Sequence, residues 1–135
     1  MRILHVEDNQ LDAELVRHML SAEWPGCSID VVATREEFLR SLSAGGYDLV
    51  LSDFQLPGFN GLEALELVRT HTPEVPFIFF SGTIGEERAI EAVRAGAADY
   101  VIKDRMQRLP VSIQRVLREA EEQRSRRRIE EALAQ

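Results

Sequence analysis

Apolar positions along the chain follow two alternating rhythms. Ile3 to Val6 is a short apolar run that reads as a strand, and Leu11, Leu15 and Met19 follow at helical spacing. Cys27 to Ala33 predicts a second strand. Thr34 then reads as an N-cap with Glu37 completing a capping box, and Phe38 and Leu42 supply the buried stripe of a second helix. Leu49 to Leu51 is a third strand, and Gly61 opens a helix carrying Leu62, Leu65 and Val68. Val75 to Phe80 predicts a fourth strand, with Pro76 near its start where a missing N–H does least damage. Ile90 and Val93 mark a fourth helix ending at Gly96, and Tyr100 to Ile102 a fifth strand. The remainder is helical.

Five such alternations predict an α/β fold, a parallel sheet with helices on both faces. Near-continuous apolar strands agree, because both faces of such a sheet are covered. Right-handed crossovers then place ligands outside the carboxyl ends of the strands.

The totals narrow the class. With 135 residues, 44% hydrophobic and 29% charged, the chain reads as one soluble domain with a real core. No run approaches the ~20 apolar residues of a membrane span, and Met1 to Val6 lacks the pattern of a signal peptide. The single Cys27 allows no internal disulfide and reads as a small core residue of the second strand, so a reduced, cytoplasmic setting is expected. The formal net charge is -7, unevenly spread: residues 1–103 hold 17 acidic and 8 basic side chains, residues 104–135 hold 6 and 8. An acidic globular part argues against direct nucleic-acid binding and suits a site that collects cations.

Glu7 and Asp8 follow the first strand, Asp53 the third, Ser81 the fourth and Lys103 the fifth. A doubly wound sheet brings all five to one edge. Taken alone, Asp53 reads as a turn cap; with the other four beside it, a reactive site is the better reading. Crowded carboxylates need a cation, and oxygen ligands select a hard divalent ion such as Mg2+. Lys103, the only lysine in the chain, adds a compact point charge. A metal plus a lysine beside one carboxylate is an arrangement for phosphoryl transfer, with the carboxylate as nucleophile.

The stretches ILHVEDN, LVLSDFQLPGFNGLE, IFFSGT and GAADYVIKD, in that order, resemble the receiver domain of two-component response regulators over about residues 1 to 120. That resemblance implies a flavodoxin-like (βα)5 doubly wound sheet of strand order 2-1-3-4-5. It implies that Asp53 accepts a phosphoryl group from a histidine kinase or histidine phosphotransfer protein. Asp8 and Asp53 match direct metal ligands, Glu7 an acid acting through metal-bound water, and the Gln55 carbonyl the remaining protein ligand. Ser81 matches the switch hydroxyl, Lys103 the lysine that pairs with the phosphoryl group, and Tyr100 the aromatic whose ring turns inward when the hydroxyl moves. Pro57 and Gly61 match the turn into the third helix. Gln55 and Thr83 flank the path of attacking water. Such a domain is not an enzyme in the ordinary sense: it catalyses only its own phosphoryl transfer and autodephosphorylation. Its output is a change in the face made by the fourth helix, fifth strand and fifth helix.

Two departures stand out. Receivers commonly have a cis proline after the lysine, whereas Asp104 stands here, so a trans bond or a rearranged loop is expected. Gly82 stands where Ala is usual and leaves room above Asp53.

Other classes fit less well. A haloacid-dehalogenase-type phosphatase wants an acid two residues after the nucleophile, where this chain has Gln55. A nucleotide-binding flavodoxin-like domain wants a Gly-rich loop where this chain has VEDNQ. A receiver-like docking module that is never phosphorylated is the alternative. His5, His18 and His71 show no metal-ligand spacing.

Residues 110–135 read as one long helix with Pro110 near its first turn and Ile113, Val116, Leu117 and Ala120 as its docking stripe. The domain is set at residues 1–120. Residues 121–135 extend the last helix as a linker or the start of a coiled coil, and a homodimer through this helix or the output face stays open. The style resembles receivers joined to PAS, histidine-kinase or diguanylate-cyclase modules.

Overall fold

The computed structural model describes residues 1–82 and 85–134, the side chain of Glu86 apart. Five parallel strands form the central sheet: β1 (Arg2–Val6), β2 (Ser28–Val32), β3 (Leu49–Ser52), β4 (Phe77–Ser81) and β5 (Asp99–Ile102). They lie in the order β2-β1-β3-β4-β5. Between and after them run α1 (Gln10–Glu23), α2 (Arg35–Ala44), α3 (Gly61–His71), α4 (Gly85–Arg94) and α5 (Leu109–Leu133). The expected flavodoxin-like doubly wound architecture and strand order are therefore those observed. Among the described residues no helix is long and apolar enough to cross a membrane.

Strand alternation divides the core into two layers. Leu4, Val6, Val50, Phe77 and Phe79 point to one face and pack with Phe38, Leu42, Leu65, Val68 and Ala92 from α2, α3 and α4. Ile3, Leu49, Leu51, Ile78, Phe80 and Val101 point to the other and meet Val16 and Leu20 of α1 and Leu109, Ile113 and Val116 of α5. Because both faces are covered, Leu49, Val50 and Leu51 of β3 are apolar on alternate sides, and all four residues of the strand are buried.

Local chemistry starts three of the helices, at α2 as expected. Thr34 and Glu37 form a full capping box on α2. Asn9 caps α1 by accepting the Asp12 N–H at 3.0 Å, and Asn60 caps α3 through the Glu63 N–H at 3.0 Å.

The structure also corrects several expectations. Leu11 and Leu15 face solvent, and the buried stripe of α1 is Ala13, Val16 and Leu20. Ile90 and Val93 are likewise exposed, while Ala92 is fully buried. In both helices a second apolar line shares the 3.6-residue period, and periodicity alone does not say which line faces inward. The fourth strand starts at Phe77 rather than Val75, since Pro76 brings no N–H to the ladder; its carbonyl still accepts the Val50 N–H at 3.0 Å. Cys27 precedes β2, half-buried, with its thiol directed at the Leu20 carbonyl. A small antiparallel hairpin, Gln55–Leu56 with Phe59–Asn60, was not foreseen.

After β5 the chain enters a 3-10 turn, Lys103–Arg108, bent at Arg105, and then α5. No peptide bond among the described residues is cis, so the Lys103–Asp104 link is trans. Asp99 fastens α5 to the sheet. Its Oδ2 accepts from Ser112 Oγ at 2.5 Å and from Arg115 Nη2 at 2.9 Å.

Candidate functional site

Four strand ends, those of β1, β3, β4 and β5, build the site. Parallel registry sets Val6 opposite Ser52 and Ser81 opposite Ile102, so the residues that follow these positions emerge on one edge of the sheet. Asp53 is anchored by its own N–H donating to the Val6 carbonyl at 3.0 Å, and Glu7 by its N–H donating to the Val32 carbonyl at 2.9 Å. Both carboxylates are thus held by backbone outside the regular ladder.

Asp53 is densely bonded. Ser81 Oγ donates to Asp53 Oδ1, which also accepts the Phe54 N–H at 2.7 Å. Lys103 Nζ donates to Asp53 Oδ2 at 2.9 Å. Burial pushes the Asp53 carboxyl up, but the hydrogen bonds from Ser81 and Lys103, the Lys103 charge and the Phe54 N–H outweigh it. The net result lies below the usual carboxylate value, so Asp53 is an anion at neutral pH.

Lys103 is the hub. Its ammonium lies 2.8 Å from Glu7 Oε1, 2.8 Å from Asp12 Oδ2 and 2.9 Å from Asp53 Oδ2. Burial alone would lower its pKa; the three carboxylates more than offset that and raise it, so the charge is permanent.

Glu7 is the buried member, with no side-chain exposure. Burial raises its carboxyl to about 7, against the opposing pull of Lys103. The Lys103 contact to Oε1 is close but poorly aligned for a hydrogen bond, and Oε1 has no hydrogen-bond partner among the described residues.

Ligand oxygens of Glu7, Asp8 and Asp53 come within 4.8 Å of one another. Three carboxylates with an orphaned buried oxygen among them form an all-oxygen donor set of the kind a hard divalent cation takes. Asp8 is exposed at the open side of this set. Gln55, also exposed, begins the hairpin two residues beyond Asp53.

Tyr100 on β5 donates its hydroxyl to the Gly82 carbonyl, next to Ser81, and its ring centroid lies 6.5 Å from that of Phe79. Burial and the Asp53 charge raise its phenol pKa. Gly61 permits the close return of the chain: a Cβ there would stand 2.6 Å from both the Asp53 carbonyl oxygen and Phe79 Cε1. Thr83, named above beside the water path, lies outside the described residues.

The structure therefore brings Glu7, Asp8, Asp53, Ser81 and Lys103 to one edge. Two participants were missed. Asp12 contacts Lys103 from the first turn of α1; its spacing of four from Asp8 puts it one helical turn along, which was the available signal. His5 lies beneath Glu7, fully buried, with neither ring nitrogen hydrogen-bonded among the described residues. Burial, with a further push from the Lys103 charge, lowers its pKa to about 4, so it is neutral at physiological pH.

Comparison with known proteins agrees with this geometry. The sequence profile described as the response regulator receiver domain matches residues 3–114. The luminescence regulatory protein LuxO of Vibrio campbellii is 34% identical over 116 residues, which is 85% of this chain but 25% of that protein. The chain thus spans about a quarter of the length of that relative. Among solved structures, a CheY-like receiver domain protein from Methanospirillum hungatei superposes with TM-score 0.80 at 28% identity, covering 90% of this chain and 97% of the other. NtrX from Brucella abortus, in a complex with ADP, reaches TM-score 0.87 at 27% identity, covering 99% of this chain and 30% of NtrX.

Proposed function

The chain belongs to the response regulator receiver domains of two-component systems, and from that premise we propose that it is a phosphorylation-dependent switch with Asp53 as acceptor. The observation that carries the reading is the direct contact of Asp53 with both Ser81 and Lys103 across three strand ends.

A carboxylate oxygen of Asp53 attacks the phosphorus of a phosphohistidine on a histidine kinase or phosphotransfer protein. The P–N bond breaks, its electron pair returns to the imidazole, and Asp53 becomes an acyl phosphate. Glu7, Asp8 and Asp53 would hold Mg2+, with the Gln55 carbonyl as a further ligand. When bound, the ion supplies positive charge that offsets the charge on the transferred oxygens. Lys103 and Ser81 hold the new phosphoryl oxygens.

Ser81 leaves Asp53 Oδ1 in that step, and the Gly82 carbonyl that Tyr100 holds moves with it. Tyr100 then re-packs, and the face made by α4, β5 and α5 changes shape. Residues 1–120 form the switching unit, and the later part of α5 passes the change on. The setting is the cytoplasm, where such kinases present their phosphohistidine.

Intact mass after incubation with acetyl phosphate tests this. A gain of one phosphoryl group that requires Mg2+ and vanishes in Asp53→Asn is expected. No gain, under conditions that modify a known receiver and with a phosphorylated kinase also tried, would favour a docking module that is never phosphorylated.

A further inference from the structure

Three carboxylates converge on the Lys103 ammonium, which has three N–H donors. A phosphoryl oxygen arriving on Asp53 needs at least one of them. Asp12 and Asp53 accept hydrogen bonds from the ammonium, while Glu7 is held by charge alone, so the three carboxylates are not equivalent.

Glu7 and Asp53 both belong to the carboxylate set suited to a cation, and Asp12 does not. Asp12 also sits on a different element. It projects from α1 rather than from a strand end, and a quarter of its side chain is open to solvent. Once released it can be hydrated, whereas the side chain of Glu7, with no exposure, cannot. The capping bond of α1 uses the Asp12 backbone N–H, so nothing in the cap depends on its carboxylate.

An acidic residue in the first turn of a helix has an ordinary explanation in the helix dipole. That explanation does not require the carboxylate to close on a lysine from another element at 2.8 Å.

We propose that Asp12 is a positioning residue that acts through Lys103: a resting counter-ion which holds the ammonium on the α1 side and competes with the phosphoryl group for it. The proposal rests on Asp53 being the phosphoryl acceptor. Competition works by two routes. Asp12 draws the ammonium toward α1 through its hydrogen bond, and its own negative charge opposes that of the phosphoryl oxygens at short range. The residue therefore weakens the phosphorylated state relative to the resting one.

The experiment is calorimetric titration of the full chain with beryllofluoride, a phosphoryl mimic, at Mg2+ saturating for every variant. Asp12→Asn should bind about two- to fivefold more tightly than wild type, the range of a partly exposed charge contact. Asp12→Glu, which keeps the charge, should stay close to wild type. The gap between wild type and Asp12→Asn should narrow as salt is raised, which a purely structural role would not produce. Equal or weaker binding by Asp12→Asn, with wild type binding normally, overturns the role of Asp12 and leaves the acceptor reading intact. Absence of binding in wild type and both variants overturns the acceptor reading and the role of Asp12 with it.

Discussion

His5 Nε2 and Glu7 Oε1 lie 3.9 Å apart at the end of β1, and neither side chain has any solvent exposure. Burial drives their proton affinities in opposite directions, His5 down from 6.5 to about 4 and Glu7 up from 4.5 to about 7. Between those values the unfolded chain carries the proton on His5 and the folded chain carries it on Glu7. The His5 contribution to stability is complete above its unfolded pKa and is lost as pH falls toward its folded one. The Glu7 contribution has the opposite sign, since its folded form holds a proton the unfolded form has released, and it fades as pH rises toward 7. The two slopes offset.

Metal-free protein should accordingly show little dependence of stability on pH from this pair between about pH 5 and 6.5. Replacing the imidazole by an apolar ring, His5→Phe, removes one slope and exposes the other. Stability of that variant should then fall by about 1 kcal/mol per pH unit across the same window. Urea unfolding in chelator at several pH values measures it, and a flat profile for His5→Phe would contradict the assignment.

Lys103→Met removes the one cation that Glu7, Asp12 and Asp53 share. Breaking a buried ion pair costs about 3–5 kcal/mol, and a lysine with some exposure should lose less, about 2 kcal/mol in chelator. Millimolar Mg2+ should recover much of that loss, because it answers the same negative charge. Thermal melts with and without Mg2+ decide it; a loss that Mg2+ does not touch would mean the carboxylates do not form a cation site.

The two glycines beside the site should behave differently. A Cβ on Gly61 collides with backbone at Asp53 and with Phe79, so Gly61→Ala should cost about 1–3 kcal/mol and impair phosphoryl uptake by displacing Asp53. A Cβ on Gly82 meets nothing within 4 Å among the described residues. Gly82→Ala should leave stability within about 0.5 kcal/mol. Chemical unfolding and phosphoryl uptake on both variants provide the comparison.

The fold was legible because each strand is bounded by chemistry that acts locally. The Thr34–Glu37 box, the Gly61 helix start and Pro76 each mark an element without help from the rest of the chain. Glu7, Asp8, Asp53, Ser81 and Lys103 could be placed together because parallel strands carry their carboxyl ends to a common edge. Asp12 escaped because its partner is 91 residues away and its helical position already had a local reason. His5 escaped for a related cause: alternation predicts that a strand residue is buried, but not which neighbour it meets there. Leu11 and Ile90 show the limit of helical spacing, which finds apolar lines and does not orient them.

Asp99 gives α5 a fixed point, and the helix continues well past it. A helix of 25 residues is about 38 Å long. Turned as a lever about the Arg115 contact, the remaining length of about 27 Å magnifies angle into displacement: a tilt of about 5° carries the far end about 2 Å. A movement at Tyr100 too slight to disturb the core would therefore arrive at Leu133 as a displacement comparable to a side-chain contact.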